Sequence, residues 1–280
     1  MTDSFLSTYT AGDGDNLAIQ DWPLDEEDPA LRGVVLFVHG LGEHAGRYDA
    51  LARRLNKWGF AARGYDQYGH GESGGVRGVL PSETRLIDDL GDVLESTRAR
   101  MDRNTPLVLL GHSMGGLVAA RFVAMHAHMV EGLVLSSPAF DPWLGLGQKM
   151  LLAVLPKLVP NMCVGNGLDS NFLSHDRAVV DAYRADPLVH DRISGRLARY
   201  IATAGPQTVS RAPRWTTPTL LMYAGDDHLV NPAGSRAFAA AAPARYLKVR
   251  CFDGYYHEIF NESDPEPVFA ELKAWLDARY

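Results

Sequence analysis

Cysteine, surplus positive charge and long apolar runs are all scarce in this 280-residue chain, and each scarcity removes a class of function. Two cysteines, Cys163 and Cys251, make neither a disulfide framework nor, by themselves, a zinc site. Acidic side chains outnumber basic ones 34 to 27, whereas a nucleic-acid binder ordinarily carries a basic face, so no nucleic-acid partner is expected. No apolar run reaches the roughly 20 residues that cross a bilayer. The first residues, Met1 to Phe5, show no basic segment leading into an apolar one, so no signal peptide is expected. With 46% hydrophobic and 22% charged residues the chain has the composition of an ordered globular protein, and its length suffices for a large core. A cytoplasmic location is the expectation.

Short apolar runs alternate with amphipathic ones. Gly33 to Val38 (GVVLFV) is continuous and β-branched, as in a strand buried on both faces of a parallel sheet. Phe60 to Tyr65, Leu107 to Leu110, Gly132 to Leu135, Thr219 to Tyr223 and Tyr246 to Phe252 are further strand candidates. Helical spacing fills the intervals at Tyr48 to Trp58, Thr84 to Met101, Gly115 to His126, Pro232 to Ala242 and Val268 to Ala278. The pattern predicts an α/β fold with a mainly parallel sheet covered by helices on both faces. Ahead of it, Phe5 to Thr10 and Leu17 to Trp22 flank Gly12-Asp13-Gly14-Asp15 and predict an antiparallel hairpin.

Between about Phe140 and Arg211 the alternation stops. No strand pattern is evident there, only helical pieces separated by Pro156, Pro160, Pro187 and Pro206. A structureless connection of that length does not suit a compact domain. The expected organisation is therefore a core of residues 1–139 and 212–280 with a helical cap, residues 140–211, inserted in it. Within the cap, Trp143 to Val159 is unusually apolar, as a helix buried on all sides would be.

Gly111-His112-Ser113-Met114-Gly115 follows a strand candidate and precedes a helical one, which is the context that gives G-x-S-x-G its meaning. Glycines permit a tight turn that lifts the Ser113 hydroxyl above the carboxyl edge of the sheet. A serine hydroxyl needs a base, and the base needs an orienting acid. In the chain order serine, acid, histidine, Asp227 follows the strand Thr219 to Tyr223 and His257 follows the strand Tyr246 to Phe252. The neighbouring Asp226 reads as a solvated turn residue. For an oxyanion, the candidate donors are the backbone N–H of Met114, directly after the nucleophile, and of Leu41, in the loop after Gly33 to Val38. His39, His44 and His70 carry no ligand spacing with carboxylates, so no metal is expected, and this chemistry needs no cofactor.

The stretches His39-Gly40-Leu41-Gly42-Glu43-His44, Gly46-Arg47-Tyr48, Asp66 to Ser73 (DQYGHGES), Leu110 to Gly116 (LGHSMGG) and Asp181 to Leu188 (DAYRADPL), with Asp227 and His257, carry a family resemblance. Together they resemble the monoglyceride lipases of the α/β-hydrolase superfamily and related bacterial lysophospholipases. The similarity runs from near residue 34 to near residue 260. It implies a serine hydrolase that cleaves monoacylglycerol to glycerol and fatty acid, a small-molecule lipid ester as partner, and a cap that contacts a membrane or micelle transiently. It also implies that Glu43, Arg47 and Tyr183 contact the glycerol head group; a loop-stabilising pair is the competing reading for Glu43 and Arg47. Where the family carries a histidine three residues past the catalytic one, this chain has Phe260. A lysophospholipase or broad carboxylesterase on the same machinery, and a non-catalytic receptor that keeps the fold, are the alternatives.

Overall fold

The computed structural model describes residues 4–25, 27–126, 129–143 and 160–280. Along the chain run β1 (Phe5–Thr10), β2 (Asn16–Trp22), β3 (Gly33–Val38), α1 (Asp49–Asn56), β4 (Phe60–Tyr65), α2 (Arg85–Arg98), β5 (Leu107–His112), α3 (Ser113–Met125) and β6 (Gly132–Ser136). After them come β7 (Cys163–Gly165), α4 (Arg177–Ala185), β8 (Arg192–Ser194), α5 (Gly195–Arg211), β9 (Thr219–Ala224), α6 (Pro232–Ala241), β10 (Leu247–Phe252) and α7 (Glu266–Asp277). Eight strands form one sheet in the order β1-β2-β4-β3-β5-β6-β9-β10. Every pairing from β4 to β10 is parallel, and the β1–β2 hairpin is attached antiparallel along β4.

The central strands are apolar throughout because each successive side chain goes to the opposite face and both faces are covered. Val34, Leu36 and Val38 of β3 join Leu107 and Leu109 of β5 in one core, with residues of α2 and α3. Val35 and Phe37 join Val108 and Leu110 in the other, with residues of α1 and α7. The outer strand β10 exposes Lys248, Val249 and Arg250. Charges on an edge discourage pairing with another chain.

Strand order reverses between β3 and β5: the chain crosses from β3 to β4 on one side, then returns to place β5 on the other. The loops leaving β3 and β5 therefore diverge at their carboxyl ends and open a crevice, where open α/β sheets bind ligands.

Two expectations for the segment between β6 and β9 need correction. It holds strand structure, a short antiparallel ribbon in which Cys163–Gly165 pairs with Arg192–Ser194. Three-residue strands are too short to show a period in sequence. The helix α5 also runs through Pro206 instead of stopping there. Leu197, Tyr200, Ala204, Gly205 and Thr208 are buried on both sides of the proline, so tertiary packing holds the helix where its local propensity would break it. Of the apolar stretch Trp143 to Val159, residues 144–159 lie outside the described residues.

Candidate active site

Ser113 stands between the last residue of β5 and the first turn of α3, at φ 54°. That is the left-handed region, which L-residues with a side chain avoid. The turn is tight enough to demand its glycines. A Cβ on Gly115 would lie 2.0 Å from the carbonyl oxygen of Val38, and one on Gly111 would lie 2.5 Å from that of Gly115. With α3 starting at Ser113, the N–H groups of its first turn, Met114 included, have no partner further back in the helix. They present partial positive charge at the serine.

Asp227 lies in the loop after β9 and His257 in the loop after β10, and both are buried. The carboxylate Oδ2 of Asp227 is 2.7 Å from Nδ1 of His257, and its Oδ1 accepts the backbone N–H of Leu229 and Val230 at 2.9 Å each. Burial disfavours both charged groups, yet the pair overrides it. The Asp227 carboxyl is held below, and the His257 imidazole above, its ordinary value. With Nδ1 donating to Asp227, the other ring nitrogen of neutral His257 is left as a base. His112 lies against His257 with ring centroids 4.7 Å apart and the ring planes inclined at 53°. Burial and the neighbouring His257 push His112 down to about 4, which keeps it neutral and bonded to Ser136.

Ser113 and His257 line one cavity of about 650 Å³, with Gly40 and Leu41 of the loop after β3 on its wall. That loop is held from several sides. Gln67 donates its backbone N–H to Nε2 of His39, so the His39 proton sits on Nδ1 and is given to the Gly40 carbonyl at 2.8 Å. Turning the Gly40 carbonyl toward His39 aims the following N–H, that of Leu41, the opposite way. Gly42, at φ 79°, packs so closely that a Cβ there would lie 2.3 Å from the His190 carbonyl oxygen. Among the described residues no group of three or more His, Cys, Asp or Glu suits a metal ion.

Glu43, Arg47 and Tyr183 line the same cavity, so the fold brings the three together. They are also bound to one another and to a residue the sequence did not single out. Oε1 of Glu43 accepts the Gly40 N–H at 2.6 Å and the Tyr48 hydroxyl at 2.9 Å, and Oε2 accepts from Arg47 at 2.5 Å. Arg47 then donates twice to Glu258, at 2.7 and 2.8 Å, and its guanidinium lies 4.7 Å from the Tyr183 ring centroid. Burial opposes the charge on Glu43, but the Arg47 guanidinium, with the Gly40 N–H, outweighs it and holds the carboxyl at about 2. The loop-stabilising reading of Glu43 and Arg47 is thus realised, while both still face the cavity. Asp186 closes a second link to the core with His44 Nε2 at 2.8 Å. Phe260 packs on Phe269 and lines a small separate space behind Arg47. Asp226 is an exposed partner of His228, as a solvated turn residue should be.

The protein-family model described as serine aminopeptidase, S33, matches residues 29–264. A monoacylglycerol lipase of Mycolicibacterium smegmatis is 34% identical over 280 residues, covering 99% of both chains. The human monoglyceride lipase is 31% identical, over 89% of this chain and 83% of its own. Among solved structures, a soluble variant of the Saccharomyces cerevisiae monoglyceride lipase in complex with a substrate analog superposes with a TM-score of 0.89 at 25% identity. That likeness covers 100% of this chain and 96% of the yeast one. The sheet order, the turn at Ser113 and these matches agree: the chain belongs to the α/β-hydrolase family that the S33 model describes and that includes the monoacylglycerol lipases.

Proposed function

We propose that this chain hydrolyses monoacylglycerols to glycerol and a fatty acid through an acyl-enzyme at Ser113. The observation that carries the reading is that a serine on a left-handed turn and His257 line one cavity, with the buried Asp227 paired to His257 from behind. Cavities of this size suit a single-chain lipid, and the wall mixes Leu168, Leu173, Val189, Leu229 and Val230 with a polar end around Glu43, Arg47 and Tyr183. The monoacylglycerol lipases among the relatives supply the substrate class.

In the proposed reaction His257 takes the Ser113 proton as Oγ attacks the ester carbonyl. Asp227 fixes the imidazole tautomer and stabilises the charged ring. The backbone N–H groups of Leu41 and Met114 hold the tetrahedral oxyanion, a stabilisation of about 3 kcal/mol per donor in comparable sites. His257 returns the proton to the leaving glycerol oxygen, then activates the water that releases the acid.

Residues 140–211 act as the cap over this cavity in the same proposal. Trp143, Met162, Val164 and Leu168 are exposed apolar residues in that segment, a surface suited to transient contact with a membrane or micelle. No helix among the described residues is long and apolar enough to cross a membrane.

The test is fatty-acid release from monoacylglycerol, lysophosphatidylcholine and triacylglycerol of equal acyl length, by the wild type and by Ser113→Ala. Turnover concentrated on monoacylglycerol and lost in the variant is the expected result. Equal turnover of the lysolipid removes the head-group assignment and leaves the triad. No release from any substrate removes the lipase reading.

A further inference from the structure

Glu258 is an acidic residue inside a cavity built for hydrolysis, and the reaction proposed above gives it no task. It follows His257 directly and lines the same cavity as Ser113. Its side chain is 5% exposed, as is that of Glu43, and the Arg47 side chain between them is 11% exposed. An arginine beside a nucleophilic serine would ordinarily recruit anions, because its planar fork matches phosphate and carboxylate. Here the fork is taken. Of five N–H donors, one of the Nη1 pair meets Glu43, and Nη1 and Nη2 together clamp Glu258. Asn261 donates to the second oxygen of Glu258 at 2.8 Å, fixing the carboxylate from the far side.

The charge follows from the same contacts. One guanidinium between two ionised carboxylates leaves a net charge of about −1 in a region almost closed to water, where charges are poorly screened. We infer that Glu258 is a specificity-determining residue: by clamping Arg47 and reversing the local charge it excludes anionic head groups and directs the hydrolase to uncharged ones. The inference deepens the proposed ester hydrolysis and rests on it. The other arginines on the cavity wall have partners of their own. Arg77 donates to the Gly71 carbonyl, Arg184 to Ser170 and Asn171, and Arg192 lies 3.4 Å from Asp191.

Two substrates that differ only in head-group charge test this: 1-oleoylglycerol and 1-oleoylglycerol 3-phosphate, with oleate release measured under identical detergent conditions. The wild type should strongly prefer the uncharged ester. Glu258→Gln keeps the shape of the side chain and part of its hydrogen bonding while removing the charge. It should narrow the ratio of the two kcat/KM values on the order of a hundredfold, the effect of a unit charge roughly 6 Å away at an effective dielectric of about 20. Glu258→Val, which releases the guanidinium from Glu258 and leaves it bound to Glu43 alone, should narrow it at least as far.

Comparable turnover of both esters by the wild type overturns the inference without any variant, because it shows that the wall arginines already accept phosphate. An unchanged ratio in either folded variant overturns it too. If the wild type releases oleate from neither ester, the proposed hydrolysis itself fails and the inference goes with it, a result distinct from loss of selectivity alone.

Discussion

Replacing Ser113 by glycine and, separately, by alanine divides the chemistry of the hydroxyl from the strain of the turn that holds it. Both variants lose the proposed nucleophile, so both should lose hydrolysis. They differ in backbone. Ser113 sits at φ 54°, where a Cβ costs roughly 1–2 kcal/mol. Alanine keeps the Cβ and therefore the strain. Glycine removes it, but gives back about 0.5–1 kcal/mol through the greater freedom of its unfolded chain. The glycine variant should be the more stable of the two by about 0.5–1 kcal/mol. A chain of 280 residues unfolds with an entropy of about 0.6 kcal/mol/K near 60 °C, so the expected difference is about 1–2 °C in midpoint. Paired calorimetric melts at one pH, with urea midpoints as a second reading, resolve a shift of this size. An alanine variant as stable as the glycine one, or more so, would refute the idea that the turn stores strain for the sake of the hydroxyl.

Asp227→Asn should lower kcat on the order of 10⁴-fold, as loss of the orienting acid does in serine hydrolases, with little change in fold. The base must be neutral to act, and the Asp227 carboxylate holds His257 above its ordinary value against the opposing effect of burial. Activity in the wild type should accordingly rise with pH through a limb above 6.5, and residual activity in Asp227→Asn should rise at lower pH; pH–rate profiles of both check the sign. Arg47→Met leaves Glu43 and Glu258 buried with no cation between them, and should destabilise the protein by about 3–5 kcal/mol in urea unfolding. Glu43 itself contributes stability that is complete above its unfolded value of 4.5 and lost as pH falls toward its folded value of about 2. Measured between pH 5 and 3, Glu43→Gln should therefore show a shallower loss of stability than the wild type.

The parts of the fold that were legible in sequence are those whose signal is local. A strand buried on both faces must be apolar at every position, and GVVLFV states that directly for β3. The elbow at Ser113 was legible for the same reason, since its glycines answer contacts within a few residues and at the adjacent strand end. Asp227 and His257 were placed by chain order and by the strands before them. The ribbon β7–β8 was not legible, because three residues cannot display a period and the partners lie far apart in sequence. Nor was the continuity of α5 through Pro206, where buried neighbours override the local rule.

The site divides along the same line. Glu43 and Arg47 stand four apart and read as a pair, which they are. What sequence could not supply is the third member. An acidic residue one place after His257 looks, in isolation, like one more solvated loop charge, and 34 acids compete for notice. Its partner is 211 residues away. The contact exists only because β3 and β10 release their loops at the same edge of the sheet, so that Arg47, just beyond one loop, meets Glu258 on the other. Tyr183 and Asp186 reach that junction from a third direction, through the Arg47 guanidinium and His44. The Asp-x-Tyr-x-x-Asp-Pro-Leu stretch is thus explained as a docking edge between the segment joining β6 to β9 and the loop that carries Leu41. A motif of this kind marks residues that must meet, while the identity of what they meet is a property of the fold.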